Sequence, residues 1–218
     1  FALLMAAARR VSEAERFVRA GHWRTWGPTL LMGQDVHGAT LGIIGMGRIG
    51  LAVARRAQGF AMRVIYHDRA ENPEASALGA ELCPLDDLLA QADFISLHTP
   101  LTPETQGLID ARALALMKPT AVLVNAARGG IVNEADLVEA LKNRSIAAAA
   151  TDVYDQEPPP MDHPLFALDN MLMTPHIGAA SDGAMQNMAS YVARGVVDVL
   201  EGRTPQFVVN RELLKKDG

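Results

Sequence analysis

The sequence predicts a doubly wound α/β fold, a parallel sheet covered by helices on both faces. Three observations predict it. From residue 40 onward, short apolar runs alternate with helix-length amphipathic stretches, and strands that are apolar throughout belong to sheets buried on both sides. Residues 41–50 read LGIIGMGRIG, an apolar strand passing through a glycine-rich turn into a helix. The later apolar runs end on polar or charged residues, the pattern of a sheet whose carboxyl ends border a ligand crevice.

The elements follow in order. Residues 2–20 carry apolar side chains at helical spacing, with Glu13 and Glu15 turned to water. An irregular arm follows, in which Trp23 and Trp26 are the chain's only tryptophans. Strands are expected at 41–45, 62–66, 94–98, 121–125, 147–151 and 171–174. Helices are expected near 48–59, 73–79, 85–90, 110–116 and 134–143, with a long last helix at 182–201. On this reading 1–201 is one dinucleotide-binding domain, with 1–39 its helix and arm, and 202–218 is a tail. There is no internal repeat or low-complexity tract.

Composition narrows the function classes. The 218 residues suit one large domain or two small ones. A net charge of −5 without a basic stripe speaks against a nucleic-acid surface. The apolar runs break well short of the roughly 18 residues that a membrane span needs. No secretory signal is visible, since Arg9 and Arg10 follow the first apolar segment instead of preceding it. The single cysteine, Cys83, has no internal partner, which suits a reducing compartment and a cytoplasmic protein.

The turn Gly45-Met46-Gly47-Arg48-Ile49-Gly50 fits G-x-G-x-x-G between a strand and a helix. In that context Gly45 permits the tight turn, Gly47 lets backbone approach a pyrophosphate, and Gly50 lets helix and strand pack closely. The helix start offers free N–H groups and partial positive charge to phosphates, and Arg48 can add a direct contact. The next strand ends on Asp68, 18 residues after Gly50. A carboxylate there accepts ribose hydroxyls and repels a 2′-phosphate, favouring NAD. Arg69 beside it keeps NADP open.

Three successive strand ends carry candidates for the chemistry. Arg128 follows the run at 121–125, where a planar guanidinium suits a substrate carboxylate and can polarise a neighbouring carbonyl. Glu157 follows 147–151. His176 follows 171–174 and suits proton exchange near neutral pH. A carboxylate within reach would orient the ring and favour its charged form. The loop from His98 through Thr99 and Pro100 is stiffened by prolines where it can line the cofactor. His98 is the weaker acid–base candidate.

These segments resemble the D-isomer-specific 2-hydroxyacid dehydrogenases, especially the glyoxylate/hydroxypyruvate reductases. The matching stretches are GHWRTW, TLGIIGMGRIG, ADFISLHTPLTPETQGLI, LMKPTAVLVNAARGGIVNEADLVEAL, TDVYDQEP, HPLF and TPHIGAAS. The resemblance implies a Rossmann-type NAD(P)-binding domain and hydride transfer to glyoxylate, hydroxypyruvate or another small 2-oxo acid. It implies that Arg128 holds the substrate carboxylate and polarises the keto group. His176 would donate the proton in reduction, with Glu157 as its partner. It further implies that Asp152 holds the nicotinamide carboxamide and that Pro100 and Thr105 touch cofactor. Ala126, with Ala127 beside it, and Gly178 would flank the nicotinamide. Trp26 resembles a tryptophan that reaches across a homodimer toward the partner's site, and residues 1–20 resemble a dimerisation helix. The Ile-Gly-Ala-Ala-Ser after His176 departs from the commoner Gly-Ser-Ala-Thr. No metal site is implied.

Two other readings remain at this stage. One keeps the fold and changes the substrate, as in phosphoglycerate dehydrogenases. The other is an NAD-sensing scaffold like the C-terminal-binding transcriptional corepressors, which share the Arg, Glu and His. Formate dehydrogenases are disfavoured because they resemble Gln at position 157. In the family, the larger part of a substrate domain precedes the first helix, roughly a hundred residues on ordinary domain sizes. That part is expected to supply carboxylate donors and to close the cleft. The 218-residue chain alone should therefore show reductase activity at least about a hundredfold below that of the full-length protein. Comparable kcat/KM for the two would refute this.

Overall fold

The structure is a computed structural model that describes residues 1–211. They form two compact units, Phe1–His176 and a second beginning at Ile177.

The first helical stretch is two helices, α1 (Ala2–Ala8) and α2 (Val11–Arg19), where the sequence suggests one. The break has two causes, one local and one from a distant segment. Arg10 turns left-handed at φ 53°, and its guanidinium pairs with Glu13 in the first turn of α2 at 2.7 Å. The carbonyl of Ala8 then accepts a hydrogen bond from the N–H of Gln34 at 2.8 Å, so the returning arm caps α1. The α1 helix buries Leu4 and Ala8 and packs against three strands of the sheet. The α2 helix buries none of its residues.

Seven strands follow: β1 (Thr40–Ile44), β2 (Arg63–His67), β3 (Glu81–Leu82), β4 (Phe94–Leu97), β5 (Val122–Asn125), β6 (Ala148–Thr151) and β7 (Met171–Met173). Every pairing is parallel, in the order β3-β2-β1-β4-β5-β6-β7. This is the doubly wound sheet expected, with β3 added. Two exposed residues at the sheet edge carry no apolar run, so β3 left no trace in the pattern. The chain starts from β1 and winds outward both ways, so the switch point lies between β1 and β4.

The connecting helices are α3 (Arg48–Ala57), α4 (Pro73–Ala77), α5 (Leu85–Gln91), α6 (Ala111–Leu116) and α7 (Glu134–Lys142). Side-chain oxygens of Asn72, Asp110 and Asn133 cap α4, α6 and α7, satisfying first-turn N–H groups. One apolar layer joins Leu88, Leu89, Leu114, Leu137 and Leu141 of α5, α6 and α7 to one face of the sheet. The other joins Leu4 and Ala8 to Leu51, Ala54 and Ala57 of α3 on the opposite face. Strands β4 and β5 are buried along their whole length.

In the second unit, α8 (Asp182–Leu200) is capped by Ser181 and buries none of its residues. Tyr191 meets Phe207 edge-on, with ring centres 5.0 Å apart. The unit containing the sheet closes at His176. The expected tail lies outside the described residues from 212 onward. No helix among the described residues is long and apolar enough to cross a membrane.

Because Leu4 is 2% exposed within the apolar layer against the sheet, Leu4→Ala should cost about 2–4 kcal/mol. Thermal unfolding should show a fall in Tm of about 5–10 °C. An unchanged Tm would mean that α1 is no part of this core.

Candidate active site

The carboxyl ends of β1, β2, β4, β5, β6 and β7 share one edge of the sheet, and nearly all the expected site residues lie there. At the end of β1, Gly45 is buried at φ +95°, and an added Cβ would fall 2.7 Å from the backbone of His98. A Cβ on Gly50 would fall 2.2 Å from the carbonyl oxygen of Gly45. The protein itself thus requires those two glycines. Gly47 is different. Its φ of −75° suits any residue, and a Cβ there would meet nothing within 4 Å. Gly47 caps α3 without a side-chain hydrogen bond, and Arg48 and Ile49 beside it are exposed. The result is an uncapped helix start with open space over it, which a pyrophosphate would fill.

The loop is held from behind. Asp68 accepts hydrogen bonds from Met46 N–H at 2.8 Å and Arg69 N–H at 2.6 Å. Asn72 donates from Nδ2 to the Met46 carbonyl at 2.8 Å. Both peptide groups of Met46 are thereby fixed. A carboxylate accepts about four hydrogen bonds, so Asp68 keeps capacity for ribose hydroxyls. The Arg69 side chain is exposed.

Across the switch point, Ser96 Oγ lies 2.8 Å from His98 Nε2. Burial pushes the His98 imidazole down to about 4. Thr99 Oγ1 is buried and has no hydrogen-bond partner among the described residues. A buried hydroxyl is seldom left so, and a ligand's polar atom would satisfy it. Thr105 donates to the Pro100 carbonyl at 2.6 Å and accepts from Thr102 N–H at 2.8 Å. Its hydroxyl shapes the loop that presents Pro100.

The three candidate chemical groups follow three adjacent strands. After β5, Asn125 staples the turn: it accepts from Ala127 N–H at 3.1 Å and donates to the Arg128 carbonyl at 2.9 Å. Ala126 and Arg128 are exposed and Ala127 is buried. The guanidinium donates to the Ala127 carbonyl at 2.6 Å. After β6, Asp152 is 3% exposed and accepts from Thr174 Oγ1 at 2.6 Å. Glu157 accepts from Tyr154 N–H at 3.0 Å and lies 2.7 Å from His176 Nδ1. The hydrogen bond from His176, then that from Tyr154, holds the Glu157 carboxyl below the usual carboxylate range. His176 stands at φ 54°, a left-handed conformation that is uncommon outside glycine and that clusters at functional sites. Thr174 N–H to Thr151 O at 3.0 Å ties the segment before it to β6.

One expected residue lies elsewhere. Trp26 is 77% exposed on the arm between α2 and β1. Gly178 lies in the second unit. Sequence reasoning missed the supporting side chains Asn72, Ser96, Asn125 and Thr174. Only Asn72 had a local signal, an Asn-Pro pair before a helical stretch. Ser96 and Asn125 bond groups two or three residues along but belong to no motif that marks them, and Thr174 reaches Asp152 from another strand end, where sequence spacing is silent.

The family model for the D-isomer specific 2-hydroxyacid dehydrogenase NAD binding domain matches residues 1–178. The chain belongs to this family. It is 49% identical over 217 residues to a glyoxylate reductase of Thermococcus onnurineus, covering 97% of this chain and 65% of that protein. Among solved structures, the TT0316 protein of Thermus thermophilus superposes with a TM-score of 0.91 at 48% identity, covering 95% of this chain and 65% of that one. The NAD-complexed D-isomer specific 2-hydroxyacid dehydrogenase of Lactobacillus delbrueckii ssp. bulgaricus superposes with a TM-score of 0.85 at 31% identity, covering 96% and 67%. The chain thus spans about 65% of the length of the glyoxylate reductase it matches. NAD is the cofactor of this domain, and the open helix start, Asp68 and the unpartnered Thr99 hydroxyl fit it.

The His98 environment has a consequence for stability. Its folded value of about 4 lies below the 6.5 of an unfolded histidine. As pH falls through that window, the unfolded chain takes up a proton that the folded chain refuses, so stability is lost on acidification. The loss is on the order of 2–3 kcal/mol by pH 4.5. His98→Gln should flatten the fall in Tm between pH 7 and pH 4.5. An equally steep fall in the variant would show that His98 stays exposed to protons.

Proposed function

We propose that this chain is the cofactor-binding part of a reductase that passes hydride from NADH to a small 2-oxo acid, glyoxylate or hydroxypyruvate, giving the D-2-hydroxy acid. The observation that carries the proposal is the His176–Glu157 pair at 2.7 Å, one strand end away from an exposed guanidinium.

When bound, the reduced nicotinamide supplies the hydride. The chain's own residues handle charge and proton. Arg128 pairs with the substrate carboxylate through its two-pronged donor face and draws electron density from the keto oxygen. Glu157 accepts the Nδ1–H of His176, which fixes the tautomer and the aim of the ring. Nε2 is then the atom that gives its proton to the keto oxygen in reduction and recovers it in oxidation. Asp152, buried and braced by Thr174, receives the nicotinamide amide. Asp68 favours NAD, since its carboxylate would face a 2′-phosphate. The exposed Trp23 and Trp26 support a homodimer in which the arm meets a second copy. A cytoplasmic location belongs to the same proposal.

A panel of 2-oxo acids with NADH and NADPH, run on the full-length protein, tests the reading. Glyoxylate or hydroxypyruvate with NADH should give the highest kcat/KM. His176→Ala should lower kcat by about 10²–10⁴-fold and leave NADH binding unchanged. An unaltered kcat would sink the proton-donor assignment. Peptide-motif binding without turnover would favour a cofactor-sensing scaffold instead.

A further inference from the structure

Resting on that proposed reading, we infer that Glu134 and His163 are a positioning pair that locks the Arg128 loop onto the Glu157 loop. Neither residue is among the candidate catalytic groups. His163 Nε2 lies 3.0 Å from Glu134 Oε2, and the two side chains are only 15% and 17% exposed. Leu165 N–H donates to His163 Nδ1 at 3.3 Å. That bond makes Nδ1 an acceptor, so Nε2 carries the proton and donates it to Glu134.

The second carboxylate oxygen of Glu134 accepts Asp155 N–H at 3.1 Å. The Asp155 side chain in turn accepts Gly130 N–H. The pair therefore joins three segments: the start of α7, which carries the Arg128 loop; the loop after β6, which carries Glu157; and the turn at His163. The two loops also touch backbone to backbone, since a Cβ on Gly129 would fall 1.9 Å from the carbonyl oxygen of Tyr154. The N–H of that same Tyr154 holds Glu157. Glu134 lies in the first turn of α7, where the helix end favours its negative charge. Without His163, the carboxylate loses a half-buried donor and its aim at Asp155. The guanidinium of Arg128 and the Glu157–His176 pair then no longer share a fixed frame, and small misplacements of such groups cost rate steeply.

The test pairs amide exchange with kinetics. Exchange at Gly130 and Asp155 is followed by NMR or mass spectrometry in the wild type, His163→Ala and His163→Gln. Catalysis and NADH binding are measured on the full-length protein. In His163→Ala, both amides should exchange at least about tenfold faster, with residues 45–54 unchanged. kcat/KM for the 2-oxo acid should fall by about 10–100-fold, while the Kd for NADH stays within about twofold. Gln presents an N–H to Glu134, so His163→Gln should restore kcat/KM to within about threefold.

Should His163→Ala fail to fold, Glu134→Gln takes its place. A Gln amide cannot accept from Asp155 and His163 at once, so one bond is lost either way. Unchanged exchange at Gly130 and Asp155 would overturn the inference. So would faster exchange with wild-type kinetics, or a loss of activity matched by a loss of NADH affinity. A wild type that turns over no 2-oxo acid refutes the reductase reading instead. The exchange data alone then decide whether the lock exists.

Discussion

A parallel sheet covered on both faces has only its edges and strand ends to offer a ligand. Here every strand runs the same way, so the carboxyl ends of six of them converge on one border of the molecule. Burial of the strands fixes the sheet, the sheet fixes the strand ends, and the candidate side chains of Asp68, Arg128, Asp152, Glu157 and His176 hang one to six residues beyond such an end. Arg128, Glu157 and His176 are 19 to 48 residues apart in the chain. They become neighbours because β5, β6 and β7 are adjacent in the sheet.

What the sequence made legible follows from the same constraint. Apolar runs located six of the seven strands to within a residue or two, because strands buried on both faces must be apolar throughout. The glycine turn was readable because Gly45 and Gly50 answer to local geometry. The candidate trio could be named because each member follows a strand end. The break between α1 and α2 was not legible, since it depends on the arm returning to Ala8. Nor were Thr174, Glu134 and His163 visible as supports, because their partners come from distant segments, and Asn125, whose partners lie two and three residues on, is a residue type ordinary in any turn.

A second theme is the treatment of negative charge. Asp68, Asp152, Glu134, Asp155 and Glu157 crowd the same border, yet each takes a hydrogen bond from a backbone N–H or a neighbouring side chain. Carboxylates held this way keep their direction. The border can therefore present acids to sugar hydroxyls, to an amide and to an imidazole without their repelling one another out of place. The exposed guanidinium of Arg128 lies among them as the group suited to an anionic substrate.

The close approach at Gly129 carries a last implication. A position where even a methyl group has no room admits no graded adjustment, so the segment linking Arg128 to the loop after β6 cannot be tuned by small steps. Variation at this border has to come from other positions, and the contact between these two segments is kept whole or lost whole.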